Sequence, residues 1–403
     1  MKQVVYLFTA AYPYGRAESF LENEIPVLVQ KFNSIFIFPH ANKGEEKRTI
    51  PANCIVQEAI NERNDLIPRK IYLSHFFFIC SVLLSEFVRV PRPFYFLKNI
   101  RQFNSILIRG IYDSEKIKQS IKHSPDEVIY YSYWMNDWAL ALAILKRKKV
   151  INNFVFRCAG FDIYDERHKG GFLPFRYFVY KNASAVYPNS MDGVNYIKSK
   201  NCFPEKIKIQ YWGTSNSGFN AFDESGKFTI VSCSNLIPLK RVHLIIEMLK
   251  NINFDLNWIH FGDGISMEEM KEKALLLPTN ITFVFKGRIP NKEVIEFYKN
   301  HSVNLFITTS ETESLPVSVQ EAISFGIPVI ATNVGGMAEI VNEQTGYLID
   351  KNVDITKTAK LISDFKMSNK NTSEFRKGVR SFWQSHFEAE HIYSKFYEDL
   401  INI

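Results

Sequence analysis

The chain has 403 residues, 46 % hydrophobic and 23 % charged, a length and composition that predict two globular domains and exclude a disordered or fibrous protein. Its five cysteines are scattered without a Cys-x-x-Cys pair, which argues against a disulfide framework and a zinc site and favours a reducing compartment. The net charge of +7 is uneven, because residues 1–220 carry 30 Lys and Arg against 19 Asp and Glu, and no nucleic-acid motif accompanies this excess.

The first half of the chain alternates between strand and helix patterns. The strand QVVYLFT is followed by the turn-rich loop AAYPYGRAES, the helical pattern FLENEIPVLVQKF and the strand SIFIFPH. Further along come the strand EVIYYSYW, the helix DWALALAILKRK, and two more strands, NNFVFRCAG and SAVYPNS. This order predicts a mainly parallel sheet with helices on both faces.

The segment 66–110 interrupts this alternation. It holds seven basic side chains, one acidic side chain and many aromatic residues. Its longest apolar stretch, residues 71–87, falls short of the ~20 apolar residues that a membrane-spanning helix needs, so we expect a buried or surface helix. The composition suits an anionic membrane surface, where each basic side chain contributes about 1 kcal/mol. A pair of core helices with a solvated basic face is the alternative.

A Gly-, Ser- and Asn-rich stretch, residues 211–226, marks the predicted boundary between the domains. Five strand-loop-helix units follow, beginning at FTIVSCS, LNWIHFG, ITFVFKG, VNLFITT and IPVIAT. They predict a second doubly wound α/β domain. The tail has apolar residues at helical spacing and no later strand. We therefore predict a first domain over residues 1–218, a second over 219–380, and a terminal helix over 381–403 that packs back on the first domain.

Unusual residues follow the strands of the second domain, at the edge where ligands bind in open parallel sheets. Lys240 and Arg241 are placed at a predicted helix start, where basic residues are disfavoured unless an anion lies nearby. Glycine-rich loops follow other strands, and backbone N–H groups in such loops bind phosphate. Together the loops predict a site for a nucleotide or a diphosphate, and their glycines include Gly262, Gly264, Gly335 and Gly336.

The stretch ETESLPVSVQEA carries two glutamates, Glu313 and Glu321. Pro316 suits the first position of a helix, which places Glu313 in the preceding loop and Glu321 within the helix. Nearby cations should lower the pKa of both carboxylates and keep them ionised, so they are expected to accept hydrogen bonds from hydroxyl groups rather than act as general acids. A ligand with phosphates in the middle and hydroxyls at both ends is a nucleotide-sugar.

The stretch ETESLPVSVQEAISFGIPVIATNVGG resembles the signature of the GT4 family of retaining glycosyltransferases, with SCSNLIPLKRVHLIIEML and GDG at other donor-side positions of the family. AYPYGRAESF and FRCAGFDIYDER resemble, more loosely, enzymes of capsular, lipopolysaccharide O-antigen or exopolysaccharide synthesis. The resemblance implies a GT-B fold, with two Rossmann-like domains facing across a cleft. It also implies a UDP- or GDP-sugar as co-substrate, with no required metal or other cofactor.

The resemblance also implies roles for single residues. Glu321 would hold the ribose, Glu313 and the backbone after it would meet the sugar, and Lys240 would neutralise the leaving diphosphate. Arg241 would supply further charge beside Lys240. The donor would be bound by Gly15, Asn235, Gly262, Gly264, Arg288, Ser314, Leu315, Pro316, Glu321, Gly335 and Gly336, and Arg157, Asp162 and Trp134 would lie on the acceptor side.

Two departures from the family pattern leave alternatives open. The family commonly has Arg where this chain has Asn235, and related sequences often have His where it has Ala159. The leading prediction is a glycosyltransferase that acts on a lipid-linked saccharide, peripheral on the cytoplasmic face of the membrane. A nucleotide-sugar-binding subunit without catalysis and a sugar-nucleotide epimerase of the same fold are the alternatives.

Overall fold

The computed structural model describes residues 4–15, 18–42, 44–59, 67 and 69–403. Arg16 and Ala17 in the first predicted loop, and residues 66 and 68 of the basic segment, lie outside the described residues. The chain forms two compact units, Met1–Tyr211 with Tyr393–Ile403, and Trp212–Ile392. All five cysteines are free.

The first unit is built on a six-stranded parallel sheet in the order β3-β2-β1-β4-β5-β6. Every residue of its strand β1 is buried, as expected when helices cover both faces of a parallel sheet. The strands are β1 (Val4–Thr9), β2 (Ser34–Pro39), β3 (Cys54–Val56), β4 (Val128–Ser132), β5 (Val155–Cys158) and β6 (Ala185–Pro188). The helices are α1 (Leu21–Lys31), α2 (Arg69–Ser74), α3 (Phe76–Arg89), α4 (Pro93–Lys98), α5 (Ile100–Ser120), α6 (Asp137–Arg147), α7 (Arg176–Asn182) and α8 (Met191–Ser199).

The second unit repeats this architecture with the strand order β12-β11-β10-β7-β8-β9. Its strands are β7 (Phe228–Cys233), β8 (Leu256–Phe261), β9 (Ile281–Phe285), β10 (Leu305–Thr308), β11 (Val329–Thr332) and β12 (Gly346–Ile349). Its helices are α9 (His243–Leu249), α10 (Met267–Ala274), α11 (Asn291–Asn300), α12 (Val317–Ser324), α13 (Met337–Ile340), α14 (Ile355–Lys366) and α15 (Ser373–Phe387). A last helix, α16 (Ala389–Ile401), follows.

Both sheets reverse their strand order at one place, between β1 and β4 in the first unit and between β7 and β10 in the second. This topological switch point is where doubly wound sheets bind ligands. The two doubly wound sheets confirm the predicted fold class. The edge strands β3 and β12 were not predicted, because their short segments carry little periodic pattern.

The unit boundaries differ from the predicted ones. The structure divides the chain after Tyr211 and after Ile392, rather than after residues 218 and 380. Helix α15 belongs to the second unit because Trp383 Nε1 donates to Thr214 Oγ1, at 2.7 Å, and because the buried Arg376 donates to the carbonyl oxygen of Val303.

Residues Tyr393–Ile403 belong to the first unit. A buried ion pair lies beneath this segment, with Arg157 Nη1 2.7 Å from Glu24 Oε2. Tyr397 donates to the other Glu24 oxygen at 3.0 Å. Arg157 is 1 % exposed and also donates to the carbonyl oxygen of Tyr211, at 2.8 Å. The prediction that Arg157 lies on the acceptor side is therefore wrong, because its guanidinium is used inside the core.

Candidate active site

The switch point of the second sheet is surrounded by two loops, residues 234–241 after β7 and residues 309–316 after β10. The loops are hydrogen-bonded to each other. Glu311 N donates to Leu239 O at 2.8 Å, and Thr309 Oγ1 donates to Arg241 O at 2.9 Å. The positions of the two loops are thus fixed jointly.

Lys240 and Glu313 meet across these loops. Lys240 Nζ lies 2.5 Å from Glu313 Oε1, and the two side chains are 21 % and 13 % exposed. Lys240 ends a short 3₁₀ turn, and Glu313 lies in the loop before α12. The structure therefore brings together the two residues that were predicted to act at the sugar and at the leaving diphosphate.

Arg241 has a different environment from its neighbour. It adopts a left-handed backbone conformation, with φ of 48°. Its guanidinium donates to three carbonyl oxygens, those of Thr309 at 2.8 Å, Lys351 at 2.9 Å and Ser310 at 3.2 Å. These contacts hold the two loops together, and a role for Arg241 at the donor stays a prediction.

The glycine pair after β11 supports the loop that carries Glu313. Gly335 has a φ of +54°, and a Cβ atom there would lie 1.9 Å from the Glu313 carbonyl oxygen. Gly336 N donates to Ser314 O at 2.8 Å. This close approach explains why glycine is needed at position 335, and it gives Gly335 and Gly336 contacts that the sequence had not assigned.

Gly262 and Gly264 serve a similar purpose after β8. A Cβ atom at Gly262 would lie 1.9 Å from Ser234 O, and one at Gly264 would lie 2.3 Å from Leu236 O. These glycines allow the loops after β7 and β8 to touch along the backbone. Binding of the donor by either glycine stays a prediction.

The remaining polar candidates on this edge lie at the surface. Asn235 is exposed in the loop after β7. Arg288 is exposed directly after Gly287, which forms an isolated antiparallel bridge with Gly262. The exposed side chains of Asn235 and Arg288 thus lie beside the loop after β8 that contains Gly262 and Gly264, where they are accessible to a ligand.

Glu321 lies inside α12 and is buried. Asn291 Nδ2 donates to its Oε1 at 2.9 Å, and burial raises the pKa of Glu321 to about 7. The expectation that nearby cations lower this pKa is therefore wrong, because Lys240 pairs with Glu313 instead. The helix begins at Val317, so Pro316 is its N-cap rather than its first residue as predicted, and Leu315, which precedes Pro316, is buried.

The first sheet has a cluster of its own at the carboxyl ends of β1 and β4. The Glu18 carboxylate accepts hydrogen bonds from the backbone N–H groups of Ala10, Ala11 and Tyr12, at 2.7–2.9 Å. Trp134 Nε1 also donates to Glu18, at 2.6 Å. Glu18 was missed from the sequence, since three consecutive N–H groups form an anion-binding concavity that only the folded loop displays.

Asp162 is hydrogen-bonded to the loop after β4, next to Trp134, and Gly15 lies in the loop after β1 that also carries Glu18. Asp162 is buried, accepts a hydrogen bond from Met135 N at 3.2 Å, and has a pKa that burial raises to about 7. Gly15 has a φ of +62°, and its N–H donates to Glu46 O at 3.0 Å. Gly15 thus packs against a neighbouring loop of the first unit, and its contact with a donor stays a prediction.

Within the described residues, no group of three or more His, Cys, Asp or Glu side chains is arranged to hold a metal ion. The same residues include no helix that is both long enough and apolar enough to cross a bilayer.

The chain is similar in sequence to known glycosyltransferases. Residues 218–382 match the profile of the family described as "Glycosyl transferases group 1". Sulfoquinovosyl transferase SQD2 from Arabidopsis thaliana is 32 % identical over 198 residues, which cover 44 % of this chain and 38 % of SQD2. WcaL from Salmonella typhimurium, named as a colanic acid biosynthesis glycosyltransferase, is 24 % identical over 226 residues, which cover 53 % of this chain and 55 % of WcaL. Less than two thirds of each relative is thus spanned.

Solved structures match over the whole chain. HepE from Anabaena, in complex with UDP-glucose, superposes with a TM-score of 0.67 at 16 % identity, covering 99 % of this chain and all of HepE. The predicted GT-B fold of two Rossmann-like units is confirmed, and the residues that match the group 1 profile lie within the second unit.

Proposed function

We propose that this protein is a retaining glycosyltransferase that moves a sugar from a UDP- or GDP-sugar to a lipid-linked saccharide during synthesis of a bacterial surface polysaccharide. The observation that carries the proposal is the Lys240–Glu313 pair at the switch point of the second sheet, inside the segment that matches the group 1 profile. HepE, of the same fold, binds UDP-glucose. WcaL, named for colanic acid biosynthesis, supports the pathway class.

The chemistry assigned to these residues follows from their charges. When the glycosidic C–O bond of the donor breaks, negative charge grows on the β-phosphate. A fixed ammonium group such as Lys240 stabilises that charge more in the transition state than in the ground state. Glu313 accepts hydrogen bonds from sugar hydroxyls, and Glu321 from the ribose. The acceptor hydroxyl attacks the anomeric carbon from the face that the diphosphate leaves, and the hydroxyl proton passes to the diphosphate. Because attack and departure occur on the same face, the anomeric configuration is retained.

The first experiment identifies the donor. A panel of UDP- and GDP-sugars is screened by thermal shift, because a ligand that binds only the folded state raises the melting temperature. With that donor and extracted lipid-linked saccharides, the wild type should transfer sugar and Lys240→Ala should lose at least about 100-fold in rate. Proton NMR of the product then reports the anomeric configuration.

The outcomes also separate the alternatives. Binding of a nucleotide-sugar without transfer in either protein would favour a non-catalytic subunit. An altered sugar-nucleotide formed without any acceptor would favour an epimerase. A product of inverted configuration would contradict the retaining mechanism while leaving glycosyl transfer intact.

A membrane-bound acceptor is supported by the surface of the first unit. Helices α2, α3 and α4 expose large apolar side chains, several of them more than 80 % exposed. Glu86, the one acidic residue of the segment 66–110, is buried, so the exposed charge of the described part of this segment is basic. We call this surface the α2–α4 face. Its apolar residues are Tyr72, Leu73, Phe76, Phe77, Leu84, Val88, Phe94 and Leu97, and its exposed basic residues are Lys70, Arg89, Arg92 and Lys98.

We therefore propose that the protein attaches peripherally to the anionic, cytoplasmic face of the membrane through the α2–α4 face. Apolar side chains would enter the interface while the basic ones pair with anionic headgroups. Vesicles containing phosphatidylglycerol should bind the wild type at low salt and bind Phe77→Glu more weakly. Leu275→Glu, at an exposed position of the second unit, is the control. A wild type that stays unbound would overturn the attachment.

A further inference from the structure

One aromatic side chain stands out at the carboxyl edge of the first sheet. Phe161 follows β5 by three residues and is 62 % exposed, whereas its neighbours Asp162 and Ile163 are buried. A single exposed apolar residue is ordinary on a protein surface. Phe161 is distinguished by the way its loop is held and by its position.

The loop that presents Phe161 is tightly folded. It consists of two short 3₁₀ turns, Gly160–Asp162 and Asp165–Arg167. His168 Nε2 lies 2.7 Å from the Phe161 carbonyl oxygen and donates to it, because a carbonyl oxygen only accepts. The His168 and Phe161 rings also contact each other, with centroids 4.3 Å apart. Phe161 is therefore held by His168 while most of its ring faces solvent.

Phe161 lies beside the residues that were predicted to contact the acceptor. Its neighbour Asp162 accepts a hydrogen bond from Met135 N, which ties the loop after β5 to the loop after β4. Trp134 precedes Met135 and is anchored by the Glu18 carboxylate. Two aromatic side chains, Trp134 and Phe161, are thus carried by adjacent, hydrogen-bonded loops at the edge where doubly wound sheets bind ligands.

We propose that Phe161, positioned by His168, is the platform on which one sugar ring of the acceptor stacks, so that it determines acceptor specificity; this inference rests on the proposed function. A pyranose has an apolar face of C–H groups that complements the electron-rich face of an aromatic ring. A platform that is already immobilised loses little conformational entropy when the sugar binds. The ligand that stacks on Phe161 is the saccharide headgroup of the acceptor. The α2–α4 face, which is proposed to contact the membrane, is a separate surface.

The first test uses soluble acceptors, octyl glycosides of common hexoses, with the donor identified by thermal shift. Phe161→Ala should raise the acceptor KM by about tenfold, as expected for the loss of one aromatic contact, with the donor KM unchanged. Phe161→Tyr should restore the acceptor KM, and His168→Ala should raise it less. Ile55→Ala, another exposed apolar residue of the first unit, is the control. An unchanged acceptor KM in Phe161→Ala would overturn the proposal.

The second test does not require turnover, so its failure is distinguishable from failure of the proposed function. In Phe161→Trp, the new indole should show a blue-shifted emission when an octyl glycoside binds, after subtraction of the wild-type signal. His168→Ala in this background should weaken the binding that the indole reports. Absence of a shift with every glycoside of the panel would exclude Phe161 as the platform, even if transfer activity is observed.

Discussion

Lys240 is paired with a carboxylate, and this pairing affects how an anion can bind. Its ammonium lies 2.5 Å from Glu313 Oε1, so an incoming diphosphate must compete with Glu313 for the same positive charge. Both side chains are partly buried, which makes the pair stronger than an exposed one. Under the proposed function, the affinity of the site for the diphosphate of the donor therefore depends on both Lys240 and Glu313.

Replacing this carboxylate should separate binding from chemistry. Glu313→Gln removes the competing charge, so the Kd for UDP or GDP should fall by about fivefold, which corresponds to about 1 kcal/mol. The transfer rate should fall, because an amide accepts hydrogen bonds from sugar hydroxyls less strongly than a carboxylate. Calorimetry measures the first effect and the transfer assay the second. Glu311→Gln, in the same loop and half-exposed, should change neither.

Glu321 predicts a pH dependence of nucleotide binding. Burial raises its pKa to about 7, so the carboxyl is largely protonated at pH 6 and largely ionised at pH 8. Ribose hydroxyls donate more strongly to the ionised form, and the Kd for the nucleotide should therefore fall as the pH rises from 6 to 8. Glu321→Gln should flatten the profile. A wild-type profile that is flat, or that tightens toward pH 6, would contradict the assignment.

At the scale of single residues, the sequence predicted where Glu313 and Glu321 lie along the chain but not the raised pKa of Glu321. The spacing of Glu313 and Glu321 around Pro316 predicted one loop position and one helix position, and the structure confirms both. The difference in environment arises because Lys240 reaches Glu313 across two loops, whereas Asn291 on α11 reaches Glu321. Both contacts join residues that are at least 30 positions apart, which no local pattern records.

At the scale of elements, the glycine loops were located correctly, but the contacts they make depend on packing. A glycine before a helix can offer its N–H to a phosphate or let another loop approach. Gly335 does the second, because a Cβ atom at this position would lie 1.9 Å from the Glu313 carbonyl oxygen. The sequence could not distinguish these uses, since the partner loop lies about 20 residues earlier.

Gly335→Ala should displace the loop that carries Glu313. The added methyl group would meet the Glu313 carbonyl oxygen at 1.9 Å in a backbone conformation that alanine disfavours. We expect a loss of about 1–3 kcal/mol in the free energy of unfolding and a loss of transfer activity. Urea denaturation and the transfer assay measure the two effects.

The matched control lies in α15. Gly378 is a mid-helix glycine, and a Cβ atom there would have no neighbour within 4 Å. Gly378→Ala should therefore stabilise the protein by about 0.5–1 kcal/mol through helix propensity. Equal effects of the two substitutions would exclude a specific role for Gly335.

At the scale of the whole molecule, the alternation of strand and helix patterns predicted both parallel sheets. The unit boundaries were misplaced by several residues because Gly- and Ser-rich composition marks a loop, not the unit to which the loop is bonded. Thr214 and Asn220 lie in that loop yet are bonded to α15 and to the carbonyl oxygen of Tyr298.

The buried pair of Glu24 and Arg157 should dominate the stability of the first unit. Arg157→Met leaves a carboxylate buried without its cation, which should lower the free energy of unfolding by about 3–5 kcal/mol. Lys31→Ala is the control, because its pair with Glu398 also joins α1 to α16 but is exposed, and its loss should cost less than about 1 kcal/mol. Comparable losses measured by denaturation would contradict the importance of the buried pair.

The same pair has a consequence for biosynthesis. Glu24 and Arg157 leave the ribosome early, whereas Tyr397, which donates to Glu24, and Phe396, whose ring lies beside the Arg157 guanidinium, emerge only after the entire second unit. Domains generally fold in the order in which they are synthesised. Here the second unit has all its residues first, and the nascent first unit must carry an incompletely covered ion pair until residues 393–403 are synthesised.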